Sequence, residues 1–143
     1  MIVIVDIDNT LSINKKRYKL ATKSDGNIDW DILYDYNNVI IDKPNLPMIE
    51  IVNQLYNKYE IYILTSRPSF ILNSTKDWLK NHYVKYNQLF MRSEEDHYIK
   101  DVELKRKMYN NFIKDEVFCA FDDSQSIIDL WSSIGITSFK VYV

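Results

Sequence analysis

The sequence predicts an α/β protein: a central, mostly parallel sheet with layers of helix on both faces. Two observations carry this. Short apolar runs without polar alternation recur along the chain, as strands buried on both faces require. Segments with helical spacing separate those runs, as crossover connections between parallel strands require.

Taken in order, residues 2–6, "IVIVD", read as a strand that is apolar up to its last position. Pro47 opens the helical stretch "PMIEIVNQLYNKY", which places Ile49, Val52, Leu55 and Tyr56 on one stripe. "EIYILTS" is a second buried strand, and "SFILNSTKDWLKNHY" a helix with Ile71, Leu72, Thr75, Trp78 and Leu79 at helical spacing. "NQLFMR" reads as a short strand, followed by a polar loop and a helix over roughly 101–113. "EVFCAF" is a fourth strand, and "SQSIIDLWSSIG" a helix stopped by Gly135. "TSFKVYV" closes the series as a fifth strand. The result is a Rossmann-like three-layer sandwich on a five-stranded sheet. Residues 1–143 form a single expected domain, long enough to bury roughly 70% of its unfolded surface. Residues 12–46 do not fit the alternation. They contain "NKKRYKLATK" and "IDWDILYDY" without a clear period, directly after a strand end, and are expected to make a small functional lid.

Composition excludes several classes. A net charge of −2 argues against generic electrostatic binding to nucleic acid, though not against a local basic patch. The single cysteine, Cys119, leaves no internal disulfide and no cysteine-based zinc cluster. Two glycines, Gly26 and Gly135, cannot supply a Walker A loop or a dinucleotide fingerprint. The apolar start is too short for a membrane span and lacks the basic flank of a signal peptide, so a cytoplasmic location is expected.

In a doubly wound sheet the carboxyl ends of the strands form the ligand crevice. Three of the apolar runs end there in reactive groups: Asp6 and Asp8, then Thr65, Ser66 and Arg67, then Asp122 and Asp123. Four acids at one point repel unless a cation sits among them. Carboxylate oxygens without histidine or thiolate suit a hard cation, with Mg²⁺ expected and Asp6, Asp8, Asp122 and Asp123 as its candidate ligands. His82 and His97 read as a helix-end and a loop residue. An oxyanion substrate suits this set: Asp6 could attack phosphorus, Asp8 could protonate the leaving oxygen and then activate water, and the Thr65 hydroxyl could donate to a phosphoryl oxygen. Lysine candidates are Lys100, Lys105 and Lys107. Asp101 and Lys105, spaced i, i+4, share a helix face that Lys107 does not.

"DIDNTL", "TSRP", a downstream lysine and "FDDS", in that order, resemble the four motifs of the haloacid dehalogenase-like (HAD) phosphohydrolases. Receiver domains use similar groups, but there the acid pair comes first and the lysine last, whereas here an acid pair is last. Nearly the whole chain is similar to the 3′-phosphatase domain of phage polynucleotide kinase-phosphatases and related stand-alone phosphatases. "DKPNLPMIEIVNQLYNKYEIYILTSRP", "LFMR", "KDVELKRKMY" and "FDDSQSIIDLWSSIGI" carry that likeness. The resemblance implies Asp6 as nucleophile, Asp8 as acid/base, Thr65 as the second-motif hydroxyl and Lys105 as the third-motif lysine. It also implies an active-site carboxylate at Asp101, direct metal ligation by Asp123 with Asp122 assisting, and functional arginines at Arg17 and Arg67. Two positions depart from the pattern: Asn9 and Ser66 stand where glycine is common.

The spacing between Thr65 and Lys105 leaves no room for a large cap, so the expected site is open. Lys15, Lys16, Arg17, Lys19 and Lys23 form the densest basic cluster, with Tyr18, Trp30, Tyr34 and Tyr36 nearby, an arrangement that could track a strand and stack a terminal base. The favoured expectation is therefore an Mg²⁺-dependent phosphomonoesterase acting through an aspartyl-phosphate on phosphorylated nucleic-acid 3′ ends, with Asn9, Ser66, Arg17, Arg67 and Asp101 near the substrate. The alternatives are a phosphatase of free nucleotides or another small ester, and a non-enzymatic nucleic-acid-binding module. With no P-loop, the chain is expected to remove phosphate but not to add it from ATP.

Overall fold

A computed structural model describes residues 1–143. Five strands, β1 (Ile2–Val5), β4 (Glu60–Pro68), β5 (Gln88–Arg92), β6 (Val117–Asp122) and β7 (Ser138–Lys140), form one sheet in the order β5-β4-β1-β6-β7. Every pairing in it is parallel. β2 (Ser12–Ile13) and β3 (Lys43–Pro44) make a separate antiparallel pair.

Alternation along β1 explains why "IVIV" is wholly apolar. Val3 and Val5 point to one face, into a core with Ile61, Ile63, Met48, Ile49, Val52, Trp78 and Leu79. Ile2 and Ile4 point to the other, against Leu64, Leu104, Met108, Ile127, Leu130 and Trp131. The first core packs helices α4 (Leu46–Leu55) and α5 (Leu72–Asn81) on the sheet; the second packs α6 (Asp101–Phe112) and α7 (Gln125–Ser133). The architecture is the expected three-layer sandwich, with all five strands parallel.

Helix ends differ from the sequence pattern in small ways with local causes. α4 stops at Leu55, leaving Tyr56 exposed rather than on the buried stripe. Tyr83 adopts a left-handed φ of 55°, so α5 ends at Asn81. Gly135, with φ 80°, terminates α7 as expected.

Residues 12–46 are ordered into β2, α1 (Lys15–Ala21), α2 (Trp30–Leu33), α3 (Tyr36–Ile40) and β3. Helices of seven, four and five residues are too short to display a 3.6-residue period, which is why none was legible. Two of them are capped by aspartates: Asp29 accepts from the Asp31 and Ile32 N–H groups, and Asp35 from those of Asn37 and Asn38. The segment is anchored by Arg17, Ala21, Leu33 and Val39, all buried.

Candidate active site

β1 lies between β4 and β6, where the strand order reverses, so the carboxyl ends of these three strands flank one crevice. A cleft of about 1380 Å³ opens there, lined by Asp6, Asp8, Asn9, Arg17, Ser66, Arg67, Asp101, Lys105, Asp122 and Asp123 among others. Asn9 follows the strand with φ 59°, a left-handed turn that asparagine tolerates nearly as glycine does.

Two charge clusters occupy the floor. In the first, Lys105 reaches from α6 to donate to Asp6 Oδ1 at 2.7 Å and Asp122 Oδ2 at 2.6 Å. Thr10 donates to Asp6 Oδ2 at 3.3 Å, and the Ser124 N–H to Asp122 Oδ1 at 3.0 Å. Carboxylate oxygens of Asp6, Asp122 and Asp123 all lie within 4.8 Å of one another. Two of these acids share one ammonium and the third has none, which leaves surplus negative charge at the site. Burial, opposed by Lys105 and reinforced by Asp122, pushes the Asp6 carboxyl up to about 8. Burial and then Asp122 also raise Asp123. The same surroundings push the Lys105 ammonium up, because both carboxylates favour its charged form over the opposing effect of burial. An oxygen-only trio with surplus negative charge fits a hard divalent cation.

In the second cluster, Arg67 grips Asp8 in bidentate fashion, Nε to Oδ2 and Nη2 to Oδ1, both at 2.9 Å. Arg17 Nη2 adds a bond to Asp8 Oδ1 at 2.9 Å, and Asn14 another at 3.2 Å. Asp42, from the end of the 12–46 segment, accepts from Arg17 Nε at 3.1 Å to each oxygen and from Nη2 at 2.8 Å, and also from Arg67 at 3.3 Å. Burial acts to raise Asp8, but Arg67, Arg17 and Asn14 outweigh it and hold it at about 2. This clamp stabilises the fold fully above the ordinary aspartate value of 3.8, and the contribution is lost as the pH falls through about 2. The gap in Tm between the wild type and Asp8→Asn is therefore expected to narrow on acidification below about pH 4, as thermal melts across that range would read.

The structure thus brings Asp6, Lys105, Asp122 and Asp123 together, and sets the Asp8 carboxylate on arginines rather than with the acidic trio. Thr65 is fully buried and does not line the cleft; its Oγ1 accepts the Arg67 N–H at 3.2 Å, while neighbouring Ser66 faces the opening. Asp101 and Lys105 line the same cleft, as residues on one helix face can, and Lys107 does not. Asp101 is bound by Arg92 at 2.6 Å, while two buried carboxylates hold Lys105. Of the basic cluster, Lys15 and Arg17 line the cleft and Lys16, Lys19 and Lys23 do not. Tyr36 turns away to donate to Asp77. Sequence reasoning missed Thr10, Asn14, Asp42 and Arg92. Thr10 alone carried a signal, as the threonine of the first motif.

Fold and site together define a haloacid dehalogenase-like phosphohydrolase, a hydrolase of phosphoric monoesters. Within that class the chain belongs to the polynucleotide kinase PNKP phosphatase domain family, whose model matches residues 1–143. A protein of Autographa californica nuclear polyhedrosis virus, described as a bifunctional polynucleotide kinase/RNA ligase, is 29% identical over 146 residues; the match covers 97% of this chain but 19% of the relative. Among solved structures, a chain of the Pnkp1/Rnl/Hen1 complex superposes with a TM-score of 0.77 at 24% identity, covering 97% of this chain and 45% of that one. A haloacid dehalogenase-like hydrolase from Streptococcus pneumoniae gives a TM-score of 0.71 at 12% identity, covering 99% and 84%. No helix of the chain is long and apolar enough to cross a membrane.

Proposed function

We propose that the protein removes phosphate from the 3′ ends of nucleic acids through an aspartyl-phosphate formed on Asp6. The observation that carries this is Asp6 at the floor of an open cleft, held by Lys105 at 2.7 Å and flanked by the clamped Asp8. In the first half-reaction the ionised form of Asp6, whose charge the Lys105 ammonium supports, bonds to phosphorus as the bond from phosphorus to the ester oxygen breaks, and Asp8 delivers a proton to that oxygen. In the second, Asp8 takes a proton from water as the water oxygen attacks phosphorus and frees Asp6. In the resting site Asp8 is ionised. A phosphoryl group arriving beside Arg67 competes for the same guanidinium, weakens its hold on Asp8 and lets Asp8 carry the proton. Thr65 acts one step back, by fixing the main chain at Arg67.

Asp6, Asp122 and Asp123 would hold Mg²⁺, which supplies neutralisation of the phosphoryl oxygens. Because a cation binding these acids favours the folded state, Mg²⁺ is expected to raise Tm by a few degrees. Asp123→Asn should remove most of that shift. A melt insensitive to both Mg²⁺ and chelator would speak against the metal site.

The opening favours a polymer end over an enclosed metabolite. Its volume of about 1380 Å³ exceeds the ~300–1,000 Å³ usual for small-molecule pockets. Residues of the 12–46 segment, from Asn14 to Tyr34, supply one wall of the cleft. Nucleic-acid end substrates also fit the polynucleotide kinase/RNA ligase relative. The test is phosphate release from one oligonucleotide sequence phosphorylated at 3′, the same sequence phosphorylated at 5′, and a mononucleotide. The 3′ form should have the highest kcat/KM; preference for the mononucleotide would reassign the protein to small esters.

A further inference from the structure

Three aromatic side chains on the rim of the cleft have no part in the chemistry above. Trp30 lies on α2 of the 12–46 segment, and Phe70 on the 3₁₀ turn Ser69–Ile71 that follows β4. They are 58% and 76% exposed, which for large apolar rings beside a polar floor leaves considerable apolar surface in water. Tyr34 sits between them. It stacks on Trp30 at 5.8 Å with an interplanar angle of 22°, and meets Phe70 edge-on at 5.5 Å and 85°. All three line the same cleft as Asp6 and Asp8.

We propose that Trp30, Tyr34 and Phe70 form a preorganised stacking platform for the nucleobases at the end of a single strand, and that this platform selects polynucleotide ends over base-free phosphate esters. The proposal rests on the 3′-phosphatase reading and names the recognition element of that site.

Position supports it. The leaving oxygen of a 3′-phosphate belongs to the terminal sugar, so sugar and base must lie on the Asp8 side of the phosphorus. Arg17 ties the two together: it donates to the carbonyl of Leu33, the residue before Tyr34, at 3.0 Å and to Asp8 at 2.9 Å, which carries the Tyr34 segment to that side of the cleft. From Tyr34 the rings lead outward to Phe70, where a second cavity of about 380 Å³, lined by Pro68, Phe70, Arg92 and His97, adjoins the first. The two spaces share those residues, so Phe70 stands between them.

Chemistry supports it as well. Every base offers a π-face, and stacking on an aromatic side chain is sequence-tolerant, as an enzyme acting on ends of any sequence requires. Tyr34 holds the outer rings at set angles before substrate arrives, which reduces the ordering cost of binding. Backbone tracking by cations is secondary here, since only Lys15 of the exposed lysines in the basic segment lines the cleft.

The test compares two 3′-phosphorylated single strands, one ending in a normal nucleotide and one whose two terminal nucleotides lack bases, on the wild type, Trp30→Ala, Phe70→Ala and the double variant. In the wild type, loss of the bases should raise KM about tenfold or more with a smaller change in kcat. In the double variant the two substrates should become nearly equivalent, while Trp30→Phe and Phe70→Tyr retain the discrimination. Equal losses on both substrates, or no loss on either, would overturn the platform while leaving the 3′-phosphatase reading intact. If neither strand is hydrolysed and a mononucleotide is, the polynucleotide reading falls and the platform with it.

Discussion

Asp6→Asn is expected to lower phosphate release by at least about 10³-fold while the protein stays folded. Asp6 lines the cleft against Lys105, and in Asp6→Asn the carboxamide offers phosphorus no carboxylate oxygen at that position. The substitution leaves stability intact for a reason visible in the charges. Burial already pushes the Asp6 carboxyl up to about 8, so the neutral amide removes a disfavoured buried charge, and Lys105 keeps Asp122 as partner. In the absence of metal, Tm should be equal to the wild-type value or higher. Steady-state phosphate release and a thermal melt on the same preparation check both halves. Substantial turnover by this variant would remove Asp6 from the role of nucleophile.

Lys105→Met should be damaging in both respects. It leaves Asp6 and Asp122 buried without their shared ammonium, and removing one partner of a buried pair costs about 3–5 kcal/mol. For a chain of this size that corresponds to a Tm lower by about 6–20 °C. The sign of the pH dependence follows from the raised acids. A carboxyl whose folded-state pKa lies above its unfolded value destabilises the fold once the pH exceeds the unfolded value. Lys105 holds the Asp6 carboxyl below where burial alone would put it, so its removal raises that acid further, and the extra penalty should be smallest at acidic pH and grow as the pH rises. Mg²⁺ should recover part of the lost stability, because it supplies positive charge to the same oxygens, without restoring turnover. Melts at about pH 5 and about pH 8, with and without Mg²⁺, separate these effects. A uniform loss at every pH would mean that Lys105 matters through packing rather than through charge.

The layered sheet and the convergence of strand ends were legible because they rest on local pattern. "IVIV" is apolar at successive positions since Val3 and Val5 face one core while Ile2 and Ile4 face the other. Asp6, Asp8, Arg67, Asp122 and Asp123 were legible because each lies at or just past the carboxyl end of a strand. What escaped the sequence depends on contacts between distant residues. Asp42 lies 25 positions from both Arg17 and Arg67, in a segment with no period, yet it completes the arginine clamp. Arg92 ends the edge strand β5, and only the folded chain shows it donating to the Ser66, Asp96 and Ile99 carbonyls and to Asp101. Asp101 and Lys105 both line the cleft, as a shared face of α6 allows, but spacing alone could not show that Arg92 binds Asp101 while the buried Asp6 and Asp122 keep the lysine.

The aromatic content of the 12–46 segment was visible, but its division of labour was not. Tyr36 turns to Asp77 on α5, while Trp30 and Tyr34 face the cleft and meet Phe70 from beyond β4. The lysines beside them mostly face away, so the segment contributes ring surface to the cleft more than charge.

The central claim is that phosphate passes through a covalent bond to Asp6. Acid quenching of the wild-type enzyme during turnover of an oligonucleotide carrying a labelled 3′-phosphate tests it most directly. The account predicts protein-bound label that hydroxylamine releases, that maps to the peptide containing Asp6, and that is absent in Asp6→Asn. Label on another residue, or hydroxylamine-sensitive label that persists in Asp6→Asn, would contradict it.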